Sequence, residues 1–183
     1  MSHAAADIRL VLLDVDGVLS DGRLFLGEHE ELKAYDARDG LGITLLKTAG
    51  IRVGIITGRR SASVERRARE LGIDPLLQGR PDKSAAYDEL KQKLELQDSQ
   101  VCYMGDDWLD LPLLARVGLA AAPADARPEV REACAFVSQA RGGRGAVREL
   151  AEYILGGRGL LAGLLDDYRQ GRGEAASARK NKQ

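Results

Sequence analysis

Short continuous apolar runs alternate along the chain with stretches whose apolar residues recur at helical spacing. Residues 8–13, 52–56 and 101–104 are branched or bulky almost throughout, the pattern of strands buried on both faces. Between the first two, Leu41, Leu45, Leu46 and Ala49 share one helical face that stops at Gly50, a glycine placed to end a helix. Ser61 or Ser63 can cap a second helix running to Leu71, and Pro81-Asp82-Lys83-Ser84 opens a third carrying Ala86, Leu90 and Leu94. Weaker strands are expected at 75–77, 118–121 and 135–137, with helices at 111–117, 125–133, 146–155 and 160–168. Residues 23–26 and 31–36 flank a turn at Gly27 and predict a small β-hairpin. Strands alternating with helices predict an α/β fold, a doubly wound parallel sheet with helices on both faces. One domain over residues 1–170 is expected, and the Gly-, Ala-, Ser-, Lys- and Arg-rich residues 171–183 read as a disordered tail.

Charge narrows the function classes. Lys plus Arg total 27 against 28 Asp plus Glu, too even for a dedicated nucleic-acid surface. No apolar run is long enough to span a bilayer, and the polar start of the chain does not resemble a signal peptide. A cytoplasmic protein with no nucleic-acid or membrane partner is therefore expected. Cys102 and Cys134 stand far apart without a Cys-x-x-Cys pair, which argues for core residues in a reducing compartment. His3 and His29 read as plain surface residues.

The chemistry collects where strands end. The run at residues 8–13 stops at Asp14-Val15-Asp16-Gly17, the run at 52–56 at Thr57-Gly58-Arg59, and the run at 101–104 at Gly105-Asp106-Asp107-Trp108-Leu109-Asp110. In a parallel sheet all carboxyl ends lie on one edge, so topology gathers the three clusters, and Lys83 at a helix start can reach them. Five carboxylates in one place repel each other unless a cation joins them. With oxygen donors only and no His or Cys nearby, Mg²⁺ is the expected cofactor. Asp14, ionised at neutral pH, can attack phosphorus directly once cations offset its repulsion from a phosphate, forming an aspartyl-phosphate. Asp16 can give a proton to the leaving oxygen and take one from the attacking water. Thr57, through its hydroxyl and N–H, and Lys83 would steady the phosphate oxygens. The reaction class is phosphoryl transfer to water.

This set, Asp-x-Asp-Gly, Thr-Gly-Arg, Lys83 and Gly-Asp-Asp-x-x-Asp, resembles the haloacid dehalogenase superfamily of phosphatases over residues 8–155. A closer resemblance lies in Asp14-Val-Asp16-Gly17-Val-Leu-Ser-Asp21-Gly22, Asp36-Ala37-Arg38-Asp39-Gly40 and Gly142-Gly-Arg-Gly-Ala-Val-Arg-Glu149, which are similar to a branch acting on anionic sugar-acid phosphates in lipopolysaccharide synthesis. The resemblance implies a Rossmann-like fold with Asp14, the Asp16 carbonyl and Asp106 as metal ligands, supported by Asp107 and Asp110. It places substrate contacts at Asp36, Ala37, Arg38, Asp39, Gly40, Arg59, Arg67 and Lys83. Thr44 stands where that branch often has Arg. It also implies a homotetramer in which hairpins associate and a neighbour's C-terminal segment closes the site. The intervals around the motifs hold no room for a large cap domain, only the hairpin flap. Arg141, Arg144 and Arg148 would suit a sugar-acid carboxylate or form a solvated face. A nine-carbon acid phosphate, another small sugar phosphate, phosphomutase activity and a non-catalytic tetramerisation module are the competing readings.

Overall fold

The computed structural model describes residues 5–28 and 31–173, so the expectations for His3, His29 and residues 174–183 lie outside the described residues. Its centre is β1 (Leu10–Leu13), hydrogen-bonded in parallel on both sides. β4 (Arg52–Ile56) and β5 (Leu76–Leu77) lie on one flank, and β6 (Val101–Met104), β7 (Leu119–Ala122) and β8 (Phe136–Val137) on the other. The resulting six-stranded sheet has the order β5-β4-β1-β6-β7-β8, parallel throughout.

Alternate β1 residues serve opposite cores, as the twofold period of a strand requires. Val11 and Leu13 pack with α1 (Ala37–Thr48), α2 (Ala62–Leu71) and α6 (Ala146–Gly157), through Ile43, Leu46, Val64 and Ile154 among others. Leu10 and Leu12 pack with α3 (Lys83–Leu94), α4 (Leu111–Leu114) and α5 (Pro128–Glu132), through Tyr87, Leu113 and Val130. Helices therefore cover both faces, which is the doubly wound α/β architecture the alternation predicts. The strand edges differ by a residue or two from the expected ones because apolar runs continue past the hydrogen-bonded ladder: Ile8 precedes β1 yet is fully buried.

Between β1 and α1 the described residues form the hairpin β2 (Phe25–Leu26) and β3 (Glu31–Leu32), two residues a side and shorter than expected. Between β4 and α3 it makes α2 and β5, so no large cap covers the sheet's carboxyl edge. α7 (Leu161–Arg169) packs on α6. α1 begins at Ala37, because the Asp36 carboxylate accepts a hydrogen bond from the Arg38 N–H and caps it. Ser61 precedes α2 but makes no side-chain cap; its N–H donates to Gln78 Oε1 at 2.9 Å instead.

The loop before α6 is locked onto the loop after β1. The Gly143 N–H donates to the Val18 carbonyl at 2.8 Å, and a Cβ on Gly142 would lie 1.7 Å from the Gly17 carbonyl oxygen. Only glycine permits that approach. Asp39 completes the joint. Its carboxylate is buried and accepts hydrogen bonds from the N–H groups of Arg148, at 2.9 Å, and Gly145, at 3.2 Å, at the start of α6. Burial raises the Asp39 pKa, and those two N–H bonds oppose the shift. Asp39→Ala is expected to lower the unfolding free energy by about 2 kcal/mol, read by denaturant titration; an unchanged midpoint would show that α6 starts without this anchor.

Candidate active site

β4, β1 and β6 are neighbours, so their ends meet. Asp14 and Asp16 follow β1, Thr57, Gly58 and Arg59 follow β4, and Asp106, Asp107 and Asp110 follow β6. All eight, with Lys83, line one cavity of about 400 Å³. A larger cleft, about 660 Å³, lies elsewhere, lined by Arg9, Gln97 and Arg158 among others, and contains none of these groups.

Lys83 is the first residue of α3, after a helix cap in which Asp82 accepts from the Ala85 N–H. Its ammonium is buried and lies 2.9 Å from Asp14 Oδ2 and 2.6 Å from Asp110 Oδ1. It also donates to the Tyr103 hydroxyl at 3.2 Å, and that hydroxyl donates to Asp110 Oδ1 at 2.5 Å. Asp110 Oδ2 accepts from the N–H groups of Asp106, at 2.9 Å, and Asp107, at 3.2 Å. Both Asp110 oxygens are thus engaged. It is a scaffold holding Lys83, Tyr103 and the Asp106 loop, not a free ligand.

Carboxylate oxygens of Asp14, Asp106 and Asp110 lie within 4.8 Å of one another. One buried ammonium does not balance three carboxylates. Burial pushes the Asp14 pKa up to about 6 although Lys83 opposes it. Burial, with Asp14, Asp110 and Asp107 adding to it, pushes Asp106 up to about 8. Lys83 answers in kind: burial pulls its pKa down, but Asp14 and Asp110 outweigh that and the net shift is upward. Asp106 leans over Gly17, where a Cβ would stand 2.0 Å from Asp106 Oδ2, and Gly17 itself has φ +89°. Two under-neutralised carboxylates facing each other across a glycine turn, with hard oxygen donors only, fit a small divalent cation.

Thr57 is buried at the β4 end. Its N–H donates to the Leu77 carbonyl at 2.9 Å in the ladder, so the hydroxyl is the group it can offer a ligand; the expectation that the N–H also serves is corrected. Asp107 accepts from the Trp108 N–H at 2.7 Å and caps the turn that carries Asp110.

The hairpin flap adds Glu31 and Lys33 to one side of the site, two residues that no sequence motif marks. The Lys33 ammonium contacts Asp16 Oδ1 and stands 3.1 Å from Glu31 Oε1. Arg59 donates to Glu31 Oε2 at 2.6 Å, with its Nε 3.7 Å from Asp16 Oδ2. The Arg59 bond holds the Glu31 carboxyl down at about 2. The available signal was alternation: Glu31 and Lys33 flank the exposed Leu32, so the polar residues point to one side.

The segment 36–40 and Arg67 do not line this cavity. Asp36 caps α1 and pairs with Arg38 at 2.6 Å, Ala37 is exposed at the first turn, and Arg38 also donates to the Arg144 carbonyl. Asp39 and Gly40 are buried, Asp39 on α6 and Gly40 against Arg67, which pairs with Glu70 and lies over the Tyr35 ring. Within one protomer the buried Asp39 and Gly40 present no face to a substrate in this cavity. The Thr44 hydroxyl donates to the Gly40 carbonyl inside α1. Arg141, Arg144 and Arg148 each face a carboxylate, of Asp125, Asp21 and Glu152 respectively.

A parallel doubly wound sheet without a large cap, with Asp-x-Asp after the central strand and a lysine and acidic loop beside it, defines a haloacid dehalogenase-like hydrolase; a model of that family matches residues 30–118, and the chain belongs to the family. It is 51% identical over 160 residues to the 3-deoxy-D-manno-octulosonate 8-phosphate phosphatase of Yersinia pestis, covering 87% of this chain and 86% of the relative. The crystal structure of the Yersinia pestis phosphatase superposes with a TM-score of 0.85, covering 87% of each chain. The Moraxella catarrhalis 3-deoxy-D-manno-octulosonate 8-phosphate phosphatase, in complex with magnesium ion, phosphate ion and KDO, is 38% identical. It superposes with a TM-score of 0.88, covering 90% of this chain and 95% of that one. No helix among the described residues is long and apolar enough to cross a membrane.

The raised carboxylates carry a sign. Between the ordinary 3.8 and their folded values, Asp14 and Asp106 hold protons in the folded protein that the unfolded chain has released, so this pair makes metal-free stability fall as pH rises through that window. A cation bound between the two carboxylates would take the place of those protons. The rise in Tm on adding Mg²⁺ is therefore expected to be larger at about pH 8 than at about pH 6, and to shrink strongly in Asp106→Asn. Thermal melts showing an equal shift at both pH values, or no effect of the substitution, would contradict this reading.

Proposed function

We propose that this protein is a Mg²⁺-dependent phosphatase that hydrolyses 3-deoxy-D-manno-octulosonate 8-phosphate to the free sugar acid and phosphate, in the cytoplasm, as a step toward the inner sugar of lipopolysaccharide. The observation that carries the reading is the convergence of Asp14, Lys83 and Asp106 at one uncapped cavity, in a chain alike over most of its length to phosphatases of that substrate.

Asp14 attacks phosphorus, the ester P–O bond breaks, and an aspartyl-phosphate forms. Asp16 delivers a proton to the departing C8 oxygen. It then takes a proton from water as that water's oxygen bonds to phosphorus and the bond to Asp14 breaks, which restores the enzyme. Lys83, 2.9 Å from Asp14 Oδ2 and fixed from behind by Asp110, offsets the charge of the incoming phosphate and holds Asp14 in line. The Thr57 hydroxyl donates to a phosphate oxygen. Mg²⁺, held by the carboxylates of Asp14 and Asp106 and the Asp16 carbonyl, would supply further charge neutralisation on the phosphoryl oxygens. Asp107 shapes the loop that carries Asp106. Arg59 at the rim suits the anionic sugar acid. Contacts from Asp36, Ala37, Arg38 and Arg67 belong, in this reading, to a site completed between subunits. The exposed Phe25, Leu26 and Leu32 of the hairpin form the surface on which copies assemble into a homotetramer.

Phosphate release from the octulosonate 8-phosphate is expected with Mg²⁺ and is expected to vanish on chelation. Asp14→Asn is expected to lower kcat by at least about 10³-fold, since the substitution removes the proposed nucleophile. A nine-carbon acid phosphate is expected to show the lower kcat/KM. Full activity in Asp14→Asn would remove the proposed nucleophile, and a higher kcat/KM for the nine-carbon substrate would reassign the substrate.

A further inference from the structure

Glu31 and Lys33 leave the hairpin toward the body of the domain, whereas Leu32 between them is 56% exposed. The Lys33 side chain is only 1% exposed. Burying an ammonium is costly unless carboxylates meet it, and two do: Asp16 through Oδ1, and Glu31 at 3.1 Å. The Ser20 hydroxyl lies 3.4 Å from the same Asp16 oxygen and 3.3 Å from the Val15 carbonyl, and shares its one proton between them. Asp16 Oδ2 is treated differently. Its charged neighbour is Arg59 Nε at 3.7 Å, beyond hydrogen-bond reach, and that guanidinium is held back by Glu31 at 2.6 Å. The two oxygens of Asp16 are thereby made unequal, one anchored and one left for exchange.

We propose that Lys33 is a positioning residue for proton transfer: the hairpin's ammonium anchors Asp16 Oδ1 so that Oδ2 carries the proton to and from the reacting oxygens. The inference rests on the proton role of Asp16 given above. In the first half-reaction the proton on Oδ2 passes to the ester oxygen, which keeps the P–O electron pair. In the second, Oδ2 takes a proton from the attacking water. Lys33 neither gains nor loses a proton. The hairpin is already tied to the body by the Glu31–Arg59 pair, so the Lys33 contact is what reaches the reacting group. It fixes the angle of a carboxyl that sits on a loop and would otherwise rotate about two bonds, and small misplacements of a catalytic group are expensive in rate.

The experiment compares kcat/KM for two substrates in Lys33→Met, which keeps the length of the stem and removes the charge. The octulosonate 8-phosphate has a primary alkoxide leaving group that needs the proton, whereas p-nitrophenyl phosphate does not. The expected result is a loss of about tenfold or more for the sugar phosphate and no more than about twofold for the aryl phosphate, with part of the first loss recovered in Lys33→Arg. Asp16→Asn, run beside it, is expected to show the same selectivity more strongly. Equal losses on both substrates, whether or not Tm falls, would mean that Lys33 only supports the structure and would overturn the proposal, as would no loss on either. If Asp16→Asn itself lost both activities equally, the proton role of Asp16 would fall, and the inference with it.

Discussion

Parallel topology brings three carboxylates, the buried Asp14 and Asp110 and the half-buried Asp106, to one sheet edge with the buried ammonium of Lys83 against Asp14 and Asp110. Much of the local architecture answers that surplus of negative charge. Asp110 is neutralised by Lys83 and by the Tyr103 hydroxyl and two backbone N–H groups, which use both of its oxygens. That leaves Asp14 and Asp106 facing each other with their pKa values pushed upward, a pair that holds either protons or a cation. The arrangement costs stability in the absence of a ligand and is therefore poised to bind one, a common bargain at sites that must handle phosphate.

The loops around this pair are fixed by close backbone approach rather than by bulk. Gly17 gives way to Asp106, and Gly142 to the Gly17 carbonyl, so the loops after β1 and β6 and before α6 lock together at points where a single methyl group would collide. Asp39 draws the start of α6 onto α1 behind them. With no large cap, the rim of the cavity is formed by Arg59 and by Leu109, which is exposed there. The hairpin has two faces with different tasks. Its apolar face, Phe25, Leu26 and Leu32, is exposed, while Glu31 and Lys33 form a charged face against Arg59 and Asp16.

Much of this was legible in the sequence because apolar runs ending in acidic or hydroxyl residues carry both the strand and the edge at which it stops. Residues 8–13, 52–56 and 101–104 predicted the three central strands, and topology then required their polar ends to meet. The rest depended on distances that spacing does not encode. Tyr103 lies in a strand buried on both faces, where alternation cannot say that its hydroxyl reaches Asp110. Lys33 lies 17 residues from Asp16, and its inward turn depends on how the hairpin folds over. Asp39 carries the same Asp-Gly signature whether it meets a ligand or a helix start, and the structure places it on α6. The sequence carries no sign that the Thr57 N–H is used, because the extension of the β4–β5 ladder by one residue is invisible in a two-residue strand.

The central claim is that Asp14 carries the phosphoryl group, and chemical trapping addresses it most directly. The enzyme would be quenched in acid during turnover and reduced with borohydride, which converts an acyl phosphate to the alcohol. Peptide mass spectrometry would then locate the modified residue. The account predicts homoserine at position 14 and at no other aspartate. An unmodified Asp14 under conditions of full turnover, or a modification at Asp16 or Asp106 instead, would contradict it.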